Sequence, residues 1–293
     1  WLQTQPGCKV RFDSFDPDGV PLNDILRLAL NQIEREETTA GLSFPELMHV
    51  LGIPPAMQLS FLLEQFDMFK ERPLYKDFLW ESLKVFVSIE SKQASCSLLQ
   101  NRFRAQVFTH ASLMKRFPVE EWINKPLPPF TRLNPVETDQ LITVIRYSLL
   151  LTFRETDPAT YLQRESLRYY TLERGLSIAL YGMQAVRQLP LESYIGYTVF
   201  KNGLPLAYGG AWIWGERARF GLNILEPYRG GESGWVFCQL IRVYREVFCL
   251  KQIDIDAYQF GRENPSGIQS GAYWFYYKHG FRSIDKDLAK LAE

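Results

Sequence analysis

Between Arg219 and Phe281 the chain switches periodicity three times, and that alternation restricts its fold more than any other stretch. A β-like run, FGLNIL (220–225), leads into the glycine-bearing turn Arg229-Gly230-Gly231-Glu232-Ser233-Gly234. A helix-period segment follows over 233–247, then a second β-like run, QIDIDAY (252–258), then the aromatic segment GAYWFYYKHGF (271–281). A strand that turns on glycines into a helix leaves backbone N–H groups and the positive end of the helix dipole converging at one point. Such a point suits an anion, so the order implies a fold that grips a phosphate- or thioester-bearing donor.

Size and composition set the outer limits. The 293 residues fit roughly two domains. Aromatic residues reach 14%, enough for a large packed core or an apolar pocket. Lys plus Arg equal Asp plus Glu at 33 each, which lacks the broad basic footprint of nucleic-acid binding. No apolar run reaches the ~18 residues of a membrane span, and no signal-peptide layout opens the chain. Cys8, Cys96, Cys238 and Cys249 form no CxxC pair, and the three histidines are scattered, so no metal site is expected. Cysteines this sparse fit a reducing cytoplasm.

The first half reads as mainly helical. Over 22–36, Leu22, Ile25, Leu26, Ala29 and Ile33 share one helical face. Residues 42–69 read as helix, Gly-Ile-Pro-Pro turn and helix, which resembles a helix-turn-helix or winged-helix core. The second of these helices carries no Lys or Arg before Lys70, which favours packing or homodimerisation over DNA reading. Residues 76–90 and 93–116 are expected to continue as helices. The four prolines of NKPLPPFTRLNP (124–135) mark a linker and give domains of 1–130 and 131–293. Helices are then expected over 136–153 and 158–173. Strands follow over 176–183, 193–200 and 204–214, the last two joined by an Asn202-Gly203 hairpin. The fold class is therefore α/β, in the α+β sense: a mixed central sheet flanked by helices, preceded by a helical domain.

Over 136–293 the chain resembles the GNAT N-acetyltransferase superfamily. There a strand leads through an Arg/Gln-x-x-Gly-x-Gly/Ala loop into a helix, and the loop amides hold the pyrophosphate of acyl-coenzyme A. Arg229 and Gly234 stand at the ends of the corresponding segment, with Gly230, Gly231 and Ser233 between them. Glu232 occupies the inner glycine position, adding a side chain and a negative charge beside an anionic ligand. The segment Phe275-Tyr276-Tyr277-Lys278-His279-Gly280-Phe281 is similar to the superfamily's Phe-Tyr-x-Lys-x-Gly-Phe signature. The resemblance implies that Tyr276 protonates the leaving thiolate. It implies Asn264 or Ser270 as the contact to the pantetheine chain. His279 reads as a helix C-terminal dipole partner, and Gly280-Phe281 as a helix end followed by a strand.

An amine acceptor needs a base, and Glu226, just past FGLNIL, is placed for it. Asp254 and Asp256 alternate on one sheet face and are further carboxylates near the split between the strands. The expected activity is N-acyl transfer from acetyl-coenzyme A or another acyl thioester to a small-molecule or peptide amine, by direct attack in a ternary complex. Two rival readings remain. Glu232 favours a non-catalytic interaction or ligand-sensing module of the same fold. The helix pair at 42–69 allows a DNA-binding regulator. No Ser-His-Asp order, zinc motif or phosphate-loop GKS/T run supports a hydrolase or nucleotidase.

Overall fold

The computed structural model describes residues 1–28, 32–33, 41–154, 157–284, 287 and 290. The chain divides into two compact units, Trp1–Gln93 and Ala94–Glu293. The boundary thus precedes the proline-rich stretch, where the sequence placed it. The reason is backbone pairing within the second unit. Phe103 N–H donates to the Gly203 carbonyl at 2.9 Å, and the Asn202 amide bonds both backbone groups of Phe108 at 2.9 and 3.1 Å. These bonds hold 101–110 in irregular extended form, so the helix expected over 93–116 is confined to one short turn, Ala94–Cys96.

The first unit runs β1 (Cys8–Phe15), α1 (Leu22–Arg27), α2 (Phe44–Val50), α3 (Gln58–Asp67), α4 (Pro73–Leu83) and β2 (Val85–Ser91). The helix expected over 76–90 stops at Leu83, where Lys84 takes a left-handed φ of 48°. Val85, Val87 and Ile89 then alternate as β-branched residues, and β2 pairs antiparallel with β1, Val10 opposite Ile89. Ile25, Leu62, Phe66, Leu79 and Leu83 form the core, with Phe12, Phe15 and Phe44 ring to ring at 4.8–5.0 Å beside it. Of the helix expected over 22–36, Leu22–Arg27 and residues 32–33 are helical, the former burying Leu22 and Ile25. Ala29 lies outside the described residues, and Ile33 is 73% exposed. A capping box between Ser43 and Glu46 starts α2. The outward face of α3 carries Leu63, Glu64 and Asp67, with no cation.

The second unit is mixed α/β. Its helices are α5 (Val119–Asn124), α6 (Pro135–Leu151), α7 (Asp157–Thr160), α8 (Ser233–Val247), α9 (Ala257–Phe260), α10 (Pro265–Gln269) and α11 (Ala272–Lys278). Its six strands are β3 (Arg168–Thr171), β4 (Leu176–Gly182), β5 (Ser193–Lys201), β6 (Leu204–Trp214), β7 (Arg217–Ile224) and β8 (Gln252–Ile255). They lie in sequence order, every neighbour antiparallel except the parallel pair β7–β8. Asn134 caps α6 reciprocally with Glu137, and Pro135 sits where its missing N–H is harmless. The helix expected over 158–173 shrinks to α7, because Arg168–Thr171 pairs instead with β4. Asn202 and Gly203 make the hairpin turn with φ of 50° and 81°. At the far end, Gly280 takes φ 93° and donates to the Tyr277 carbonyl, while Phe281 N–H reaches Tyr276, closing α11 as a Schellman cap. The strand expected after Phe281 is absent among the described residues, which are irregular there.

Helix α6 covers one sheet face, packing Leu141, Ile145 and Leu149 on Tyr169, Tyr181 and Phe200. Helices α8 and α11 cover the other, with Phe237, Leu240, Tyr244 and Tyr276 on Ile178, Tyr197 and Phe220. Arg242 of α8 is 1% exposed and fully engaged with Glu173, Gln239 and the carbonyls of Lys125 and Pro126. It ties the proline-rich stretch to the helix.

One detail shapes the α6 face. Gly196, Gly210 and Gly221 stand side by side across β5, β6 and β7. Without Cβ atoms the sheet forms a trough there. The Tyr181 ring lies over Gly196, the Tyr194 ring over Gly210 and the Gln259 amide over Gly221. A Cβ at Gly210 would overlap the Tyr194 ring and stand 2.8 Å from the Ile195 carbonyl. Gly210→Ala is expected to lower stability by about 1–3 kcal/mol in urea denaturation. Gly231→Ala, whose Cβ would be 3.5 Å from its nearest neighbour, should change it by less than about 1 kcal/mol.

Candidate functional site

Strand β7 leaves the sheet at Ile224, turns through Glu226–Tyr228 and enters α8 through the glycine loop. Gly230 makes the turn with φ 74°, in open space. The backbone N–H groups of Gly230, Gly231, Glu232 and Ser233 donate to none of the described residues. Arg229 folds back, and its Nε donates to the Ile224 carbonyl at 3.2 Å. Gly234 packs against His279, whose Nδ1 bonds the Phe275 carbonyl at 2.7 Å. Burial first, then the nearby Lys278 charge, hold the His279 pKa below its ordinary value, against bonds to Phe275 and Gly234 that favour the charged form. The ring therefore joins the last helix to the opening of α8, rather than serving only the helix dipole.

Glu232 turns inward. Its carboxylate accepts from Arg174 Nη2, Lys201 Nζ and the Met114 N–H, each at 2.8 Å, and lies 3.7 Å from His110 Nε2. The side chain is 8% exposed. Burial alone would raise its pKa, but the hydrogen bonds from Lys201, Met114 N–H and Arg174 outweigh that and bring it to about 2. Its side chain does not cap α8. Two cations against one carboxylate leave no net negative charge at the loop, so the repulsion expected from Glu232 is neutralised.

The parallel strands part. Register between β7 and β8 runs from Arg217↔Gln252 to Phe220↔Ile255. Strand β8 then stops, because the Asp256 side chain caps α9 by accepting from Tyr258 N–H at 2.9 Å. Strand β7 continues to Ile224, and beyond Phe220 the Gln259 side chain lies against it. Gln259 Oε1 accepts from Leu222 N–H at 3.0 Å and from the Tyr276 hydroxyl at 3.0 Å. Tyr276 is 4% exposed, and burial pushes its pKa well up, so its proton is retained at neutral pH. Two donors thus converge on one oxygen at the split. Sequence reasoning missed Gln259; nothing in AYQFGRENP distinguishes it until β7 is laid beside it.

The other sequence candidates are engaged locally or exposed. Asn264 caps α10, accepting from Gly267 N–H at 2.9 Å and donating to the Tyr258 carbonyl at 3.1 Å. The Ser270 hydroxyl donates to the Gly267 carbonyl at 2.9 Å. Both residues are used locally to shape the chain between β8 and α11, because that segment makes two extra short helices before the last one. Glu226 is exposed at the start of the turn after β7. Asp254 pairs with Arg217.

On the α6 face, the trough opens into a cleft of about 290 Å³ beside the split. Tyr194, Tyr208 and Trp212 line it with Arg219, Asp256 and Gln259. Gln259 belongs to both features: its oxygen meets Tyr276, and its nitrogen lies over Gly221. Among the described residues no group of three or more His, Cys, Asp or Glu could hold a metal, and no helix is long and apolar enough to cross a membrane.

The Glu232 network has a pH signature. A carboxyl whose pKa is lower folded than unfolded contributes stability above the unfolded value, and that contribution is lost as pH falls through the folded value. Glu232 should therefore contribute on the order of 2 kcal/mol at pH 7, after allowance for partial solvent screening, fading between about pH 4.5 and 2. Urea denaturation of Glu232→Gln should show a destabilised protein at pH 7 and a narrower deficit at pH 3. No protein-family model matches the chain, and no curated protein or solved structure matches it either.

Proposed function

We propose that residues 94–293 transfer an acyl group from a coenzyme A thioester, such as acetyl-coenzyme A, to an amine, in the manner of the GNAT N-acetyltransferases. The observation that carries this reading is the convergence of Leu222 N–H and Tyr276 O–H on one oxygen where β7 and β8 part. Donors fixed 3.0 Å from a carbonyl oxygen suit an acyl group whose oxygen gains charge during attack. The unpaired amides of Gly230–Ser233 at the opening of α8 support an anionic end for the donor. Arg229 stands beside them.

In this reading the Gln259 amide occupies the place of the acyl group, and it turns aside when the donor enters. The amine nitrogen attacks the carbonyl carbon, and the carbon–sulfur bond breaks. As the tetrahedral adduct collapses, the Tyr276 O–H turns from the acyl oxygen to the sulfur and gives its proton to the departing thiolate, which its retained proton allows. Glu226 or a water held by it takes the proton from the amine nitrogen. Asn264 and Ser270 are left in structural roles.

A second reading has its own observation. Gln259 already fills the split, so the fold could serve as a binding module without catalysis. Calorimetry with acetyl-coenzyme A separates the two. The transferase reading expects micromolar binding, lost in Gly231→Trp. It also expects Tyr276→Phe to retain binding while transfer falls by about 10²–10⁴. No binding, or transfer unchanged in Tyr276→Phe, would overturn it.

A further inference from the structure

The cleft on the α6 face carries two opposite charges that do not neutralise each other. Arg219 on β7 and Asp256 just past β8 both line it. Two residues earlier on each strand, Arg217 and Asp254 do form an ion pair. Arg219 and Asp256 pair neither with each other nor with any other described charge. One Asp256 oxygen is occupied by the α9 cap and the other is uncommitted. A guanidinium and a carboxylate held apart in one cleft match the two ends of a zwitterion.

The walls between these charges are aromatic. The Tyr194 and Trp212 rings meet edge to face at 5.1 Å, and Tyr208 completes the wall. The floor is the glycine row, overlaid by the Tyr194 ring at Gly210 and the Gln259 amide at Gly221. A ligand there packs on the Tyr194 ring and the Gln259 amide. A volume of about 290 Å³ stands at the small end of small-molecule sites, which admits an amino acid and excludes a dinucleotide.

We infer that this cleft binds a free α-amino acid with an aromatic side chain. Its carboxylate meets Arg219, its ammonium meets Asp256, and its ring packs among Tyr194, Tyr208 and Trp212. The amine then lies on the side of the split where the Gln259 nitrogen sits. As an acyl acceptor this ligand rests on the transferase reading; its binding does not.

Calorimetry on the full chain, with no thioester present, tests it with three probes: L-phenylalanine, phenethylamine and 3-phenylpropionate. L-Phenylalanine should bind at least tenfold more tightly than either truncated probe. Arg219→Gln should reduce L-phenylalanine to the level of phenethylamine and leave phenethylamine unchanged. Asp256→Asn keeps the helix cap, so folding is preserved, and should reduce L-phenylalanine to the level of 3-phenylpropionate. Equal affinity for the three probes, unaltered L-phenylalanine binding in both variants, or no binding at millimolar concentration would each overturn the inference. Discrimination among the probes without any acyl transfer would keep it and remove the transferase. Acyl transfer to other amines by a chain indifferent to these probes would do the reverse.

Discussion

The Glu232 carboxylate is the point on which the candidate site depends. It binds Arg174 in the turn between β3 and β4, Lys201 at the end of β5, and the backbone of Met114 in the irregular segment before α5. One buried anion therefore fixes the opening of α8 against three separate stretches of chain. A buried charge is tolerable only when partners replace its lost hydration, and here three donors do so. The consequence is a glycine loop whose shape is set from beneath. Its outer amides need not bond to the rest of the protein, because a side chain below already anchors the turn.

The parted strands follow from a different constraint. A parallel pair separates when one strand ends early, and β8 ends because Asp256 commits its side chain to capping α9. The freed edge of β7 still carries backbone groups that require partners. Leu222 N–H finds Gln259 and the Ile224 carbonyl finds Arg229, so each is satisfied by a side chain rather than a strand. Side chains can rotate away where a strand cannot. The edge is thus paired through side chains rather than through a neighbouring strand.

Local signals in the sequence located some elements of the second unit. Asn202-Gly203 gave the hairpin, since both positions require left-handed backbone, and the apolar period gave α8 over 233–247. The signature at 275–281 put Tyr276 on the last helix, where it meets the split. What escaped were features set by distant partners. The strands β1 and β2 stabilise each other across more than half of the first unit, and alternation alone did not outweigh a helical reading of 76–90. The extended form of 101–110 depends on Asn202 and Gly203. Gln259 acquires meaning only beside Leu222, and Asn264 is engaged with Gly267 and Tyr258 in capping a short helix.

The glycine row links these observations. Gly196, Gly210 and Gly221 are unremarkable singly, and a glycine inside a strand weakens it. Placed in register across three strands, they let the Tyr181 and Tyr194 rings and the Gln259 amide lie against backbone. Were Gly221 any larger residue, its Cβ would crowd the Gln259 nitrogen at 3.0 Å, and the amide would lose the position from which its oxygen reaches both Leu222 and Tyr276. The trough on the α6 face and the donor pair at the split are therefore one arrangement. A residue that looks like a defect in β7 is what lets one side chain lie over the α6 face and bond at the split.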